Sequence, residues 1–184
     1  MVMPATQWTL EMLHALPDDG NRYELIDGEL FVTPSPTEEH QHASAELHLL
    51  LAPYAKAVGL VVLYAPFDIR FSQQREVQPD LVAWPLQHDR KAPSFLEPAR
   101  LTLVVEILSP STARVDRHRK RMVYQSHEVS EYWIVDAANR VIERWRPNDA
   151  EPGVFLESML WQPMAGVEPL QIDVAAYFRE VHGE

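Results

Sequence analysis

The stretch Leu101-Thr-Leu-Val-Val-Glu-Ile-Leu108 is β-branched and apolar with almost no alternation, the pattern of a strand covered on both faces. It predicts a central strand. One residue breaks the pattern. Glu106 is a carboxylate where none is expected, and an ionised carboxylate in a buried strand costs several kcal/mol unless it is paired, protonated or bound to a metal. A structural ion pair with an Arg of the following segment and a functional site are both open readings of this residue.

The rest of the chain places elements around that strand. Trp8, Met12, Leu13 and Leu16 predict a short helix stopped by Pro17 and Gly20. Tyr23–Ile26 and Glu29–Thr33 flank Asp27-Gly28, a two-residue hairpin signal. Ala43, Leu47, Leu50, Leu51, Tyr54 and Val58 follow the helical period, with Gly59 as the stop and Pro53 removing one hydrogen bond inside. Residues 60–71 and 79–84 read as an antiparallel pair of strands joined by a polar connection, Ser72 to Gln78. Pro110 ends the central strand, and Ser111 or Thr112 caps a helix running to about Ser126. A strand at 131–136, a meander over 141–146 and 154–160, and a closing helix through Val174, Tyr177, Phe178 and Val181 complete the reading. Pro34-Ser-Pro36 and the stretch from Pro93 to Pro98 read as loops.

With 184 residues, 46% of them apolar and 23% charged, the chain is expected to form one domain, residues 1–184, soluble and cytoplasmic, with no membrane segment. The absence of cysteine excludes disulfides, thiol catalysis and Cys-ligated metal. The net charge of -11 opposes polyanion binding, but it is unevenly spread. Residues 1–51 carry -8, residues 52–146 carry +3 and residues 147–184 carry -6, so the middle can still face a polyanion.

Asp80 follows Pro79 at the start of a strand expected beside Glu106, so the two carboxylates converge at one sheet end. Two hard oxygen ligands with room for water suit Mg²⁺ or Mn²⁺. The segment Arg114-Val-Asp-Arg-His-Arg-Lys-Arg121 is basic at five of eight positions, and such a run is commonly a solvated helix face. Here Asp116, Lys120 and Tyr124 share one helical face after a short turn, which lets Lys120 reach back to the carboxylates. Paired carboxylates and a lysine describe metal-assisted phosphodiester hydrolysis.

Tyr23-Glu-Leu-Ile-Asp-Gly-Glu-Leu30, Pro34-Ser-Pro36 with His40 after it, Ala65-Pro-Phe-Asp68, Gln78-Pro-Asp-Leu81, Val105-Glu-Ile-Leu-Ser-Pro-Ser-Thr112, Asp116 through Lys120 to Tyr124, and Glu131-Tyr-Trp-Ile-Val-Asp136 stand in one order. Together they resemble the Uma2 family of restriction-endonuclease-like proteins from about residue 7 to 146. The resemblance implies an α+β fold of the PD-(D/E)XK type, a mixed central β-sheet flanked by helices, here with an extra N-terminal hairpin. It also implies that Asp80 and Glu106 are the acidic metal ligands. The superfamily lysine is missing from the strand, where the two-residue step from Glu106 lands on Leu108, and the resemblance moves its role to Lys120. Arg117 and Arg121 are alternatives off that face.

Glu24 or Glu29 is a candidate third ligand, with edge-strand polarity as the competing reading, and Asp68, expected on the strand before Asp80, has similar standing. His40, His42 and His48 lack zinc-ligand spacing. Ser109, Ser111 and Thr112 with Asp116 and His118 contain triad residue types without the nucleophile elbow, and helix capping explains them better. No Gly-rich phosphate loop is present, and Trp133, Trp145 and Trp161 read as core. Two functions are therefore expected as alternatives. One is a Mg²⁺- or Mn²⁺-dependent DNA endonuclease, a homodimer whose cleavage, the resemblance implies, leaves a 5′-phosphate. The other is a nuclease-fold module that binds nucleic acid or protein with little or no catalysis. The negative charge also leaves room for a protein partner that supplies DNA affinity.

Overall fold

The computed structural model describes residues 7–86 and 100–184; the expected loop from Pro93 to Pro98 lies outside them. A Thr9-capped turn, α1 (Leu10–His14), precedes the hairpin β1 (Arg22–Ile26) and β2 (Glu29–Thr33). Asp27 and Gly28 both adopt positive φ, +54° and +79°, as a turn matched to strand twist requires. Helix α2 (Glu38–Ala57) follows, capped by the Thr37 side chain and closed before Gly59.

The expected strand over 60–71 is two strands in two sheets, β3 (Leu60–Tyr64) and β4 (Ile69–Ser72). Pro66 lies between them, and without an N–H it cannot extend a ladder. The expected polar connection to Gln78 contains β5 (Arg75–Val77), whose three residues are too few to show a period. β6 (Leu81–Pro85) and β7 (Leu103–Ile107) form an antiparallel pair. A helical crossover then leads to β8 (Tyr132–Asp136), parallel to β7, as a parallel pair demands. β9 (Val141–Trp145), β10 (Gly153–Phe155), β11 (Ser158–Trp161), β12 (Leu170–Asp173) and α4 (Val174–His182) complete the chain.

The main sheet is mixed, ordered β10-β9-β8-β7-β6-β3, and a second sheet is ordered β2-β1-β5-β4. The expected meander divides, with β10 pairing β9 and β11 pairing β12. On one face of the main sheet, Leu103, Val105 and Ile107 pack with Leu47 and Leu51 of α2 and Tyr177 and Phe178 of α4. On the other, Val104 packs with Tyr124, Tyr132 and Ile134, and with Ile26, Ile69 and Val77 from the second sheet. Both faces of β7 are thus covered, as its apolar run requires, and every residue of the strand is buried. Trp133 and Trp161 lie in the first of these cores, and Trp145 borders the second.

Candidate active site

Strand parity brings the two acidic residues together. Leu81 pairs with Val105, Val82 with Val104 and Ala83 with Leu103. Continued by one residue, this register sets Asp80 across from Glu106, on the face that carries Val82 and Val104. Both are buried, at 2% and 1% exposure. The same parity acts in β1, where Ile26 points to this core and Leu25 to the opposite side against α1. Arg22 and Glu24 share the face of Ile26, so the hairpin delivers a guanidinium and a third carboxylate to the pair.

The crossover supplies the cation. Val115–Lys120 forms a π-helical turn that runs into α3 (Arg121–Ser126). The Arg121 N–H reaches back five residues to the Asp116 carbonyl, a widened turn of the kind that recurs at functional sites. Lys120 and Asp116 point inward from it, each 1% exposed. Lys120 Nζ lies 2.9 Å from Glu24 Oε1, 3.0 Å from Glu106 Oε1 and 3.4 Å from Asp116 Oδ1. The Tyr124 hydroxyl donates to Glu106 Oε1 at 2.9 Å, and the Gln78 amide donates to Glu24 Oε1 at 2.7 Å. Tyr124→Phe should therefore lower stability by about 1–2 kcal/mol through loss of one buried hydrogen bond, read as the shift in urea midpoint against wild type.

Asp80 sits at the front of the cluster. Its Oδ2 accepts from the Ile107 amide at 2.8 Å and from His40 Nε2 at 3.1 Å, and its Oδ1 accepts from Arg22 Nη1 at 2.8 Å. Burial would raise the Asp80 carboxyl, but His40, the Arg22 charge and the Ile107 amide outweigh it and hold the pKa down at about 2. Glu106 goes the other way. Burial pushes it well above the usual carboxylate range against the opposing pull of Lys120, and Asp116, Asp80 and Glu24 add to the rise. Burial opposes the charge on Lys120, yet the surrounding carboxylates more than offset it and raise its pKa. The two acidic groups are thus pushed in opposite directions, Asp80 down and Glu106 up.

Asp80, Arg22 and His40 open onto a cleft of about 1040 Å³, whose lining also includes His48, Tyr64 and Ser109. The deeper carboxylates and Lys120 lie behind this front. Among the described residues, no three His, Asp or Glu side chains form a ready cation shell. The donor set nevertheless suits a hard divalent ion. Four buried carboxylates, Glu24, Asp80, Glu106 and Asp116, face two fixed cations, Arg22 and Lys120. Two carboxylates with water completing the shell is an arrangement that Mg²⁺ accepts.

The sequence model of a family described as "Putative restriction endonuclease" matches residues 10–175. The chain belongs to the Uma2 family. A crystal structure of a "putative nuclease belonging to DUF820" from Anabaena variabilis is similar in fold, with a TM-score of 0.79 and 18% identity over 95% of this chain and 99% of that one. No functionally curated protein matches the chain.

In this Uma2 chain the structure brings Asp80, Glu106 and Lys120 into one cluster and leaves two candidates outside it. Glu29 lies opposite Ile26 and so shares its face, but it stands at the turn end of the hairpin, exposed and paired with Arg119 at 3.3 Å. Asp68 lies between β3 and β4, exposed and bonded to Gln78 Nε2 at 2.7 Å, rather than on a strand. The alternative cations are also elsewhere. Arg117 pairs with Asp136 and Glu143, both at 2.8 Å, and Arg121 stacks over Trp145 at 4.5 Å. The basic run is thus largely paired within the molecule. Cap geometry is shifted as well, since Thr112 N–H is capped by Ser109 Oγ at 3.3 Å. Arg22 at the site was not named from the sequence, while His40 and Asp116 were named there within the motifs but given no role beside Asp80 and Glu106. The inward parity of β1 was the signal for Arg22. His40 turns to Asp80 while His42 lies 3.7 Å from Glu38 and His48 lies 3.3 Å from the Val62 carbonyl.

Proposed function

We propose that this Uma2 protein is a Mg²⁺- or Mn²⁺-dependent endonuclease acting on DNA. The observation that carries this reading is the Asp80–Glu106 pair set by strand register at the edge of an open cleft, with Lys120 3.0 Å from Glu106. Asp80 and Glu106 would hold the cation. When bound, the ion polarises a phosphate oxygen and lowers the pKa of water at the scissile bond. Lys120, sealed from solvent, acts as a positioning residue: it fixes the Glu106 carboxyl from behind and offsets negative charge that gathers at the phosphate. Tyr124 fixes the same oxygen from the side. Two copies related by a two-fold axis would cut both strands.

One observation favours the non-catalytic module instead. Both Asp80 oxygens already have protein partners, as in a structural ion network. Incubation of supercoiled plasmid with the protein at low salt separates the two readings. The nuclease reading expects nicking with Mg²⁺ or Mn²⁺, 5′-phosphate ends, abolition by chelator, and steep loss as salt rises, because a chain of net charge -11 has little phosphate attraction to spare. Equal plasmid integrity with and without metal supports the module.

A further inference from the structure

Arg22 stands where an entering cation would have to go. Its Nη1 donates to Asp80 Oδ1 at 2.8 Å and to the Gln78 carbonyl at 3.2 Å. The side chain is 19% exposed and lines the cleft, so it can leave without unfolding the core. The other Asp80 oxygen is held by the Ile107 amide and His40, which leaves Oδ1 as the position under the guanidinium. Glu106 and Glu24 are also close enough to act on the Arg22 charge. A divalent ion and a guanidinium on one carboxylate oxygen repel each other strongly in a buried setting.

We propose that Arg22 is a built-in counter-ion that competes with the divalent cation for Asp80, so that metal entry requires the guanidinium to swing off Oδ1 toward the cleft. This rests on the metal reading given above. Lys120 cannot play the part, since it is sealed behind Glu106 and contacts no Asp80 oxygen. His40 is a weaker competitor because it faces Oδ2 at 3.1 Å. Arg22 thereby keeps Asp80 neutralised while metal is absent, and cation affinity is weaker than the two carboxylates alone would give.

Titration calorimetry of the full chain with Mn²⁺ alone tests this, without reference to activity. Arg22→Met is expected to bind Mn²⁺ at least about tenfold tighter than wild type, since a desolvated like charge has been removed. Asp80→Asn is expected to abolish the binding in either background. In melting experiments the Arg22→Met protein should be less stable than wild type without metal and gain more from Mn²⁺. Arg22→Gln, which keeps a polar side chain at the position, replaces it if the Met variant does not fold. Equal or weaker Mn²⁺ binding by the Arg22 variants, with wild type binding through Asp80, overturns the competition and leaves the metal reading standing. Binding that survives Asp80→Asn, or no binding by any variant, overturns both.

Discussion

Replacing Lys120 with Met should lower the unfolding free energy by about 3–5 kcal/mol, the cost of removing one member of a buried ion cluster. The reason is not the lost contacts alone, because Met fills much of the same volume. Glu24, Glu106 and Asp116 would face one another at 1% exposure or less with no cation among them. The remaining carboxylates would then take up protons, so the deficit should shrink as pH falls toward 4. Wild type should show the opposite dependence from Lys120: with its pKa raised, the stabilisation is complete below the ordinary lysine value of 10.5 and is lost only as pH rises beyond it. Urea denaturation at pH 4.5 and pH 8 reads the first dependence, and a further measurement above pH 10.5 reads the second. A loss under about 1 kcal/mol at pH 8 would show that the cluster does not depend on this ammonium.

Glu106→Gln should separate chemistry from stability. Glu106 has a folded pKa raised above its unfolded value of 4.5, chiefly by burial. Its favourable protonated form is fully populated below 4.5, and stability is lost as pH rises through the raised folded value. Gln mimics the protonated carboxyl, keeps an oxygen to accept from Tyr124, and leaves Lys120 paired with Glu24 and Asp116. The variant should therefore match wild type near pH 4 and equal or exceed it at pH 8. Metal affinity and DNA cleavage should nevertheless fall by about 10³-fold or more, as expected when a group required for transition-state charge stabilisation is neutralised. Asp80→Asn should lose activity to a similar degree but behave differently in stability. Asp80 is held down at about 2, so its stabilisation is present above the unfolded value of 3.8 and is lost as pH falls toward 2. The Asn variant should be the less stable protein at neutral pH, and a flat stability difference across that range would contradict the assignment of Asp80 as the ionised member of the pair.

Much of this site was legible because two-residue periodicity is strict. A single carboxylate in an apolar run marked Glu106, and a Pro-Asp pair entering a neighbouring strand marked Asp80. The i, i+4, i+8 spacing linked Asp116, Lys120 and Tyr124, although the turn that presents them is π-helical, which sequence periodicity does not distinguish from α over six residues. Tertiary placement was harder to read. Glu24 and Glu29 share one face of the hairpin, so which of them enters the cluster depends on where along the strands that face meets Lys120, and that is set by packing across elements. The split of residues 60–71 into two sheets was hidden for a similar reason: both halves are apolar, and only Pro66 signals the break. The basic run at 114–121 carried the weakest signal, since charge count alone does not reveal that Arg117 and Arg121 are used on β8 and β9.

The most direct test compares wild type with Glu106→Gln, each shown by melting to be folded, in nicking of supercoiled plasmid at low salt with Mn²⁺. Metal-dependent nicking by wild type and none above background by Glu106→Gln is the result predicted here. Nicking that survives the substitution, or no nicking by wild type with Mg²⁺ or Mn²⁺, would contradict the claim that the Asp80–Glu106 pair is a hydrolytic metal site.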